Sequence, residues 1–291
     1  MGKIKPALVL EGGGMRGAYT SGILEAFMEE NIDFSYIIGV SAGASNGASF
    51  ISKQKGRNKK VFVDYVSHKE YSGFKHWIRE KSYFNMKFLF DTLPNELLPF
   101  DYDNFFSSET IFKICTTNGE TGKPEYFDKR DIKDKPMSNL ILQASSSLPI
   151  ISMPVEINGI KYFDGGIVDS IPIKKSIEDG NKYNVIILTR NKDYRKGKQK
   201  LGFYFRSHLK KYPKVLEAIE KRHIVYNHTL DEIERLEKEG LIYIFRPIAT
   251  INVGRMEKDS EKLLDLYNQG YKEAMEQMDD FRKWIATISN E

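Results

Sequence analysis

At 291 residues with 41% apolar side chains, the chain is long enough for one large α/β domain or two small ones and can fill a sizeable core. Its 44 Lys and Arg against 40 Asp and Glu leave a net charge of +4, too balanced for the whole molecule to act as a polyanion binder, so nucleic acid is not an expected partner. The single cysteine, Cys115, excludes an intrachain disulfide, gives no sign of an oxidising compartment, and reads as a buried structural thiol.

In chain order, Met1-Gly2-Lys3-Ile4-Lys5-Pro6 leads into a four-residue apolar run, 7–10, too short for a signal-peptide core and readable as a strand. Residues 18–30 then pattern as a helix, 36–40 as a strand and 44–52 as a helix. That alternation predicts a mostly parallel sheet covered by helices. Between 58 and 108 the pattern loosens, and 74–106 holds ten aromatics, an insertion that suits the lining of a tunnel or a lid as well as plain core packing. Sheet signals return at 111–117, and Asn118-Gly119, Thr121-Gly122 and Tyr126-Phe127 predict a hairpin; a second follows where 153–157 and 161–163 flank Asn158-Gly159. Residues 185–189 read as a buried strand, and helices over 213–238 and 257–288 bracket one more strand at 241–245. No linker, repeat or low-complexity tract is visible, so 1–190 is expected to be the catalytic domain and 191–291 a helical elaboration packed on it. No run approaches the roughly 20 apolar residues of a membrane span, so cytoplasmic residence is the default and peripheral contact at the inner membrane surface stays open.

The run Gly12-Gly13-Gly14-Met15-Arg16-Gly17 lies between the first strand and the first helix. Gly12, Gly14 and Gly17 fit the spacing of a dinucleotide site, but such a site wants a carboxylate ending the second strand, and that strand ends in Gly39-Val40-Ser41. A P-loop fails because no Gly-Lys-Ser/Thr closes the run. In a hydrolase, residues without side chains let successive backbone N–H groups point into one small space at a helix N-terminus, where each donor to an oxyanion is worth roughly 3 kcal/mol. Arg16 would either clamp a lipid phosphate or support the loop through a carboxylate pair.

Gly39-Val40-Ser41-Ala42-Gly43 fits G-x-S-x-G between a strand and a helix, which puts Ser41 on the tight turn this motif needs. A Cβ at Gly39 or Gly43 would clash where the two backbones converge. A serine nucleophile needs a base. His208, His223 and His228 lie in charged or helical patterns, and His68 and His76 come too early for the chain order of a Ser-Asp-His triad. No histidine sits in a metal-ligand spacing, so no metal and no cofactor are expected. Asp164 follows a strand-like run and precedes Gly165 and Gly166, which lets the backbone turn sharply; within about 2.6 to 3.2 Å of Ser41 it could take the proton directly. Burial would raise its pKa and make it a better base.

The three motifs in this order, together with Ala144-Ser145-Ser146-Ser147-Leu148-Pro149 and Pro154-Val155, resemble the patatin-like phospholipase family over roughly residues 5–190. The resemblance implies a three-layer α/β/α sandwich and a metal-free Ser-Asp dyad. Ser41 would be the nucleophile and Asp164 the base, with backbone N–H groups of Gly12, Gly13, Gly14 and Met15 as oxyanion donors and Gly17, Gly39, Gly43, Gly165 and Gly166 as turn glycines. It implies hydrolysis of glycerolipid acyl esters. A general carboxylesterase or thioesterase and a catalytically silent lipid-binding protein remain alternatives, with a dinucleotide oxidoreductase behind them. Ten basic residues against one acid over 190–214, interleaved with Phe203, Tyr204, Phe205 and Tyr212, would suit an anionic membrane surface or simply a solvated face.

Overall fold

The computed structural model describes residues 5–149 and 151–289; Met1 to Ile4 of the N-terminal segment and the last two residues lie outside the described residues, as do the side chains of Glu80 and Tyr204. Eight strands form one sheet: β1 (Ala7–Leu10), β2 (Tyr36–Val40), β3 (Ile111–Asn118), β4 (Pro124–Asp128), β5 (Val155–Ile157), β6 (Ile160–Asp164), β7 (Asn184–Ile187) and β8 (Ile242–Phe245). The order is β5-β6-β3-β2-β1-β7-β8, with β4 also paired to β3. Pairs among β3, β2, β1, β7 and β8 are parallel, whereas β4, β6 and β5 join antiparallel.

The helices are α1 (Gly17–Glu29), α2 (Ala42–Ile51), α3 (Arg57–Lys59), α4 (Phe74–Glu80), α5 (Tyr102–Ser107), α6 (Lys135–Ser145), α7 (Ile173–Glu178), α8 (Phe203–His208), α9 (Pro213–Lys238) and α10 (Ser260–Ile288). They sandwich the sheet because each central strand is apolar on both sides. Leu8 and Leu10 of β1, with Val185 and Ile187 of β7, pack into the core built with α1, α2, α6 and α10. Ala7 and Val9, with Ile186 and Leu188, face the opposite core under α7 and α9. The architecture is the expected three-layer α/β/α sandwich.

The C-terminal segment extends that sheet. Its strand β8 adds in parallel to β7, and α10 lies against α1 along its length. The helices approach closely because each presents a glycine to the other's backbone: a Cβ on Gly22 would stand 2.0 Å from the Tyr267 carbonyl oxygen, and one on Gly270 would stand 2.2 Å from that of Tyr19. The Tyr19 hydroxyl donates to Glu273 across the same interface at 2.6 Å.

Register in β3 brings the two ends of the site together. Residues 113–115 pair with β2 on one edge and β4 on the other, while 116 and 117 pair with β4 and β6. Strands β2 and β6 therefore meet end to end along one edge of β3, with Val40 opposite Cys115 and Asp164 opposite Thr116, adjacent positions. Residue 41 and residue 164 become neighbours although 123 positions separate them in the chain.

Candidate active site

Ser41 occupies the turn from β2 into α2 with φ 53° and ψ −123°, a conformation costly for a residue with a Cβ and found where surrounding structure enforces it. The enforcement is visible. A Cβ on Gly39 would lie 2.8 Å from the Ala44 backbone, and one on Gly43 would lie 2.6 Å from the Leu10 carbonyl oxygen, so only glycine permits the strand and helix to converge. The Ser41 amide donates to Ser145 Oγ at 2.9 Å, and Ser145 Oγ donates to the Cys115 carbonyl at 2.6 Å.

The same serine-rich end of α6 fixes Asp164. Its amide donates to the Ser147 carbonyl at 2.9 Å, and its carbonyl accepts from Thr117 Oγ1 at 2.8 Å. The carboxylate accepts from the Gly166 amide at 2.7 Å, and Gly165 lies so close to β3 that a Cβ would be 2.3 Å from the Cys115 carbonyl oxygen. Burial, the largest influence, pushes the Asp164 carboxyl above its ordinary value, while Arg222, the Gly166 amide, the Ser41 hydroxyl and Arg255 pull it back.

Gly12, Gly13, Gly14, Ser41, Asp164 and Gly166 line one cavity of about 460 Å³ of free space. Two of the four amides expected there are already engaged: Gly12 donates to the Ser170 carbonyl and Met15 to the Arg255 carbonyl, each at 3.2 Å. Backbone pairing has consumed those donors, so the expectation narrows to Gly13 and Gly14, whose amides have no hydrogen-bond partner among the described residues. Gly14 sits at φ 59°, and a Cβ there would be 2.6 Å from the Arg255 carbonyl oxygen. Arg16 fits neither role expected of it. It is buried beneath the turn, makes no ion pair among the described residues and does not line the cavity, with burial lowering its pKa to about 10.

A second, larger cavity of about 920 Å³ of free space, counting its open mouth, begins at the same Ser41 and Gly14. Its walls are mainly apolar, with Ala48, Phe62, Leu89, Phe90, Leu93 and Phe100 among them. Part of the aromatic insertion thus lines a cavity, although lining begins earlier in the chain, at Arg57 and Val61. Other aromatics of that stretch, Phe88 and Phe105, are core, and Phe74 is exposed. Arg57 is turned into the wall, donating to Ser49 Oγ and the Leu98 carbonyl and lying against the Phe100 ring.

Among the described residues no histidine lines either cavity: His68 stacks on Phe88, and His76 is buried against Lys69 and Glu70. Among the described residues no cluster of His, Cys, Asp or Glu is placed to hold a metal. Cys115 is fully buried, and desolvation raises its thiol well above the usual range. Arg222 of α9 and Arg255 from the loop before α10 both line the Ser41 cavity, and no motif had pointed to them. The basic run at 190–214 is divided: Arg190 and Lys196 are partly buried, and Arg195, Arg206 and Lys214 pair with Glu234, Glu220 and Glu217. It is therefore not a continuous free basic face. Among the described residues no helix is long and apolar enough to cross a membrane.

The site is a strained serine at a strand-to-helix turn, with a buried aspartate and a glycine turn beside it, carried on a three-layer sandwich. The patatin-like phospholipase model matches residues 8–176, and the chain belongs to that family. A model described as a domain of unknown function (DUF6363) matches residues 212–286. The uncharacterized protein YjjU of Escherichia coli (strain K12) is 33% identical over 190 residues, covering 63% of this chain and 51% of that relative. The chain thus aligns with about half of that protein's length. Probable lipid hydrolase 463L of Invertebrate iridescent virus 6 is 26% identical over 199 residues, covering 62% of this chain and 67% of that protein. The crystal structure of VipD from Legionella pneumophila has a TM-score of 0.52 at 15% identity, covering 95% of this chain and 67% of that one, and shares the fold.

Proposed function

We propose that this protein is a serine acyl hydrolase that cleaves fatty-acyl esters of lipids, with Ser41 as nucleophile and Asp164 as its base. The observation that carries the reading is the position of Ser41, held at positive φ at the junction of an apolar cavity and the cavity that contains Asp164. An acyl chain lying in the apolar cavity leaves its ester carbonyl at Ser41. Asp164 accepts the hydroxyl proton as Ser41 Oγ attacks, and the amides of Gly13 and Gly14 take the developing oxyanion. Collapse breaks the bond to the alkoxide, which leaves as the alcohol with the proton held by Asp164; the aspartate, ionised again, takes a proton from the water that attacks the acyl-enzyme and returns it to Ser41 as the fatty acid departs. The name of the viral relative, a probable lipid hydrolase, supports the same reaction class.

The size and apolarity of the larger cavity favour long acyl chains over the short soluble esters of a general carboxylesterase or thioesterase. The C-terminal segment belongs, in this reading, to the same catalytic unit as residues 8–176, since it supplies cavity residues. Contact with an anionic membrane would be peripheral, through exposed lysines such as Lys210 and Lys211 and the exposed ring of Phe203.

A fluorophosphonate probe with mass mapping tests the site. Label is expected on Ser41, with Ser41→Ala lowering turnover of a long-chain ester by about 10⁴-fold or more and Asp164→Asn by about 10³-fold or more. Label on another serine, or retained turnover in Asp164→Asn with loss in His223→Ala, would overturn the assignment.

A further inference from the structure

The proposed chemistry accounts for Ser41, Asp164 and the glycine turn, but not for the positive charge gathered beside them. Arg16, Arg190, Arg222 and Arg255 act on one another or on a common neighbour through their charges. None of the four makes an ion pair among the described residues, and the Nε groups of Arg16, Arg190 and Arg222 are buried without a hydrogen-bond partner there. The acids facing them are few. Glu11 is engaged by Thr189 and Tyr226, and Asp164 is engaged by Gly166 and the serine. Unpaired guanidinium donors in a partly dry site are costly unless an anion completes them.

Two of the four reach the cavities. Arg222 and Arg255 line the Ser41 cavity and also a third one, of about 650 Å³ of free space, with Leu148, Ile151 and Gln199 on its wall. Neither arginine lines the apolar cavity. Arg222 lies over the Asp164 turn, with one terminal nitrogen 3.2 Å from where a Gly166 Cβ would project. Arg255 is held by its own backbone, whose carbonyl accepts from the Met15 amide. The local field is felt by Lys196: burial first, then Arg222 and Arg255, drives its ammonium down to about 6.

Resting on the acyl-hydrolase reading, we infer that Arg222 and Arg255 form a head-group subsite that binds the phosphate of a glycerophospholipid. In such a lipid only a glycerol unit separates the scissile ester from phosphorus. A chain in the apolar cavity and an ester at Ser41 therefore direct the phosphate toward the two guanidinium groups, whose planar donors match phosphate oxygens. Head-group selection then comes from the C-terminal segment, while bond cleavage and the acyl-chain cavity belong to the family domain.

The test compares 1-acyl-glycerol-3-phosphate with the 1-monoacylglycerol of the same chain, both in neutral detergent micelles. The wild type is expected to prefer the phosphorylated substrate in kcat/KM. Arg255→Gln and Arg222→Gln should each reduce that preference by about 10- to 100-fold, with partial recovery in Arg255→Lys. Taking a ratio of substrates cancels any effect that passes through Asp164. Calorimetric binding of glycerol 3-phosphate to Ser41→Ala protein gives a second readout that needs no turnover, and adding Arg255→Gln should weaken it.

Equal loss on both substrates, or glycerol 3-phosphate binding unchanged by either arginine substitution, overturns the subsite. Inorganic phosphate binding as tightly as glycerol 3-phosphate, with no preference for the phosphorylated lipid, marks a free-phosphate site and likewise overturns it. If neither lipid is cleaved and the fluorophosphonate misses Ser41, the hydrolase reading falls. Arginine-dependent glycerol 3-phosphate binding would still support the subsite.

Discussion

The two flanks of Ser41 are built from different materials and different parts of the chain. On one side lining residues from within 57–100, which overlap the aromatic insertion only in part, join α2 and α6 in a mainly apolar wall whose arginine, Arg57, is turned aside and hydrogen-bonded. On the other, α9 and the loop before α10 set Arg222 and Arg255 against Asp164. The first wall can discriminate by length and shape, because apolar contact is non-directional and additive with area. In the proposed reading the second discriminates by charge, and it lowers the pKa of Asp164. A site with one dry arm and one cationic arm suits an amphiphile whose reactive bond lies between its tail and its polar end.

The sharpest way to break this division is at a residue that both arms share. Gly14 lines both cavities at positive φ, so Gly14→Ala should strain the turn and displace Arg255, with hydrolysis of every ester falling about 100-fold or more. Steady-state kinetics beside a melting curve checks it; a loss confined to one substrate class would show that the arms do not meet at the turn.

Next in size is a change to the apolar arm alone. Ala48 is buried in its wall, and Ala48→Phe should lower kcat/KM for long acyl chains by about 10- to 100-fold while sparing short ones, as read from a chain-length series.

The cationic arm has a pH signature. In the proposed reaction Asp164 is the base and must be ionised, so activity should fall as pH drops through its raised pKa, and Arg222 opposes that rise. Arg222→Gln therefore moves the acid limb of the kcat profile to higher pH on a neutral ester. A shift to lower pH would reverse the assigned sign. Smallest of all, Phe203→Ser, at a ring 89% exposed, should weaken binding to anionic vesicles a few-fold and leave turnover of dispersed short esters unchanged in a vesicle co-sedimentation and kinetic pair.

The legibility of the site follows the same division. Strand β1 and the long helix α9 were readable with little or no error because apolar runs and helical spacing are properties of contiguous residues. The elbow was readable because Gly39 and Gly43 are dictated by backbone approach within a few residues, and the Asp164 turn because two glycines follow it. Helix α6 was missed, since Pro136 and its serine-rich end weaken the helical pattern, although that same end braces both Ser41 and Asp164. The short lining segments of 57–100 were unreadable for a similar reason: wide π-type turns at Lys60–Asp64 and Phe88–Leu97 blur the 3.6-residue period.

By itself the sequence determined the Ser41 turn, the glycine run and the Asp-Gly-Gly corner, because each is a local backbone geometry that only certain residues tolerate. The tertiary structure decided which glycine-turn amides stay unspent and which arginines face the serine. It also decided that residue 41 should meet residue 164. Those outcomes depend on β3 pairing two strands end to end along one edge, and on α9 and the loop before α10 folding back over the turn. Convergence in space of distant segments leaves no periodic mark on any one of them.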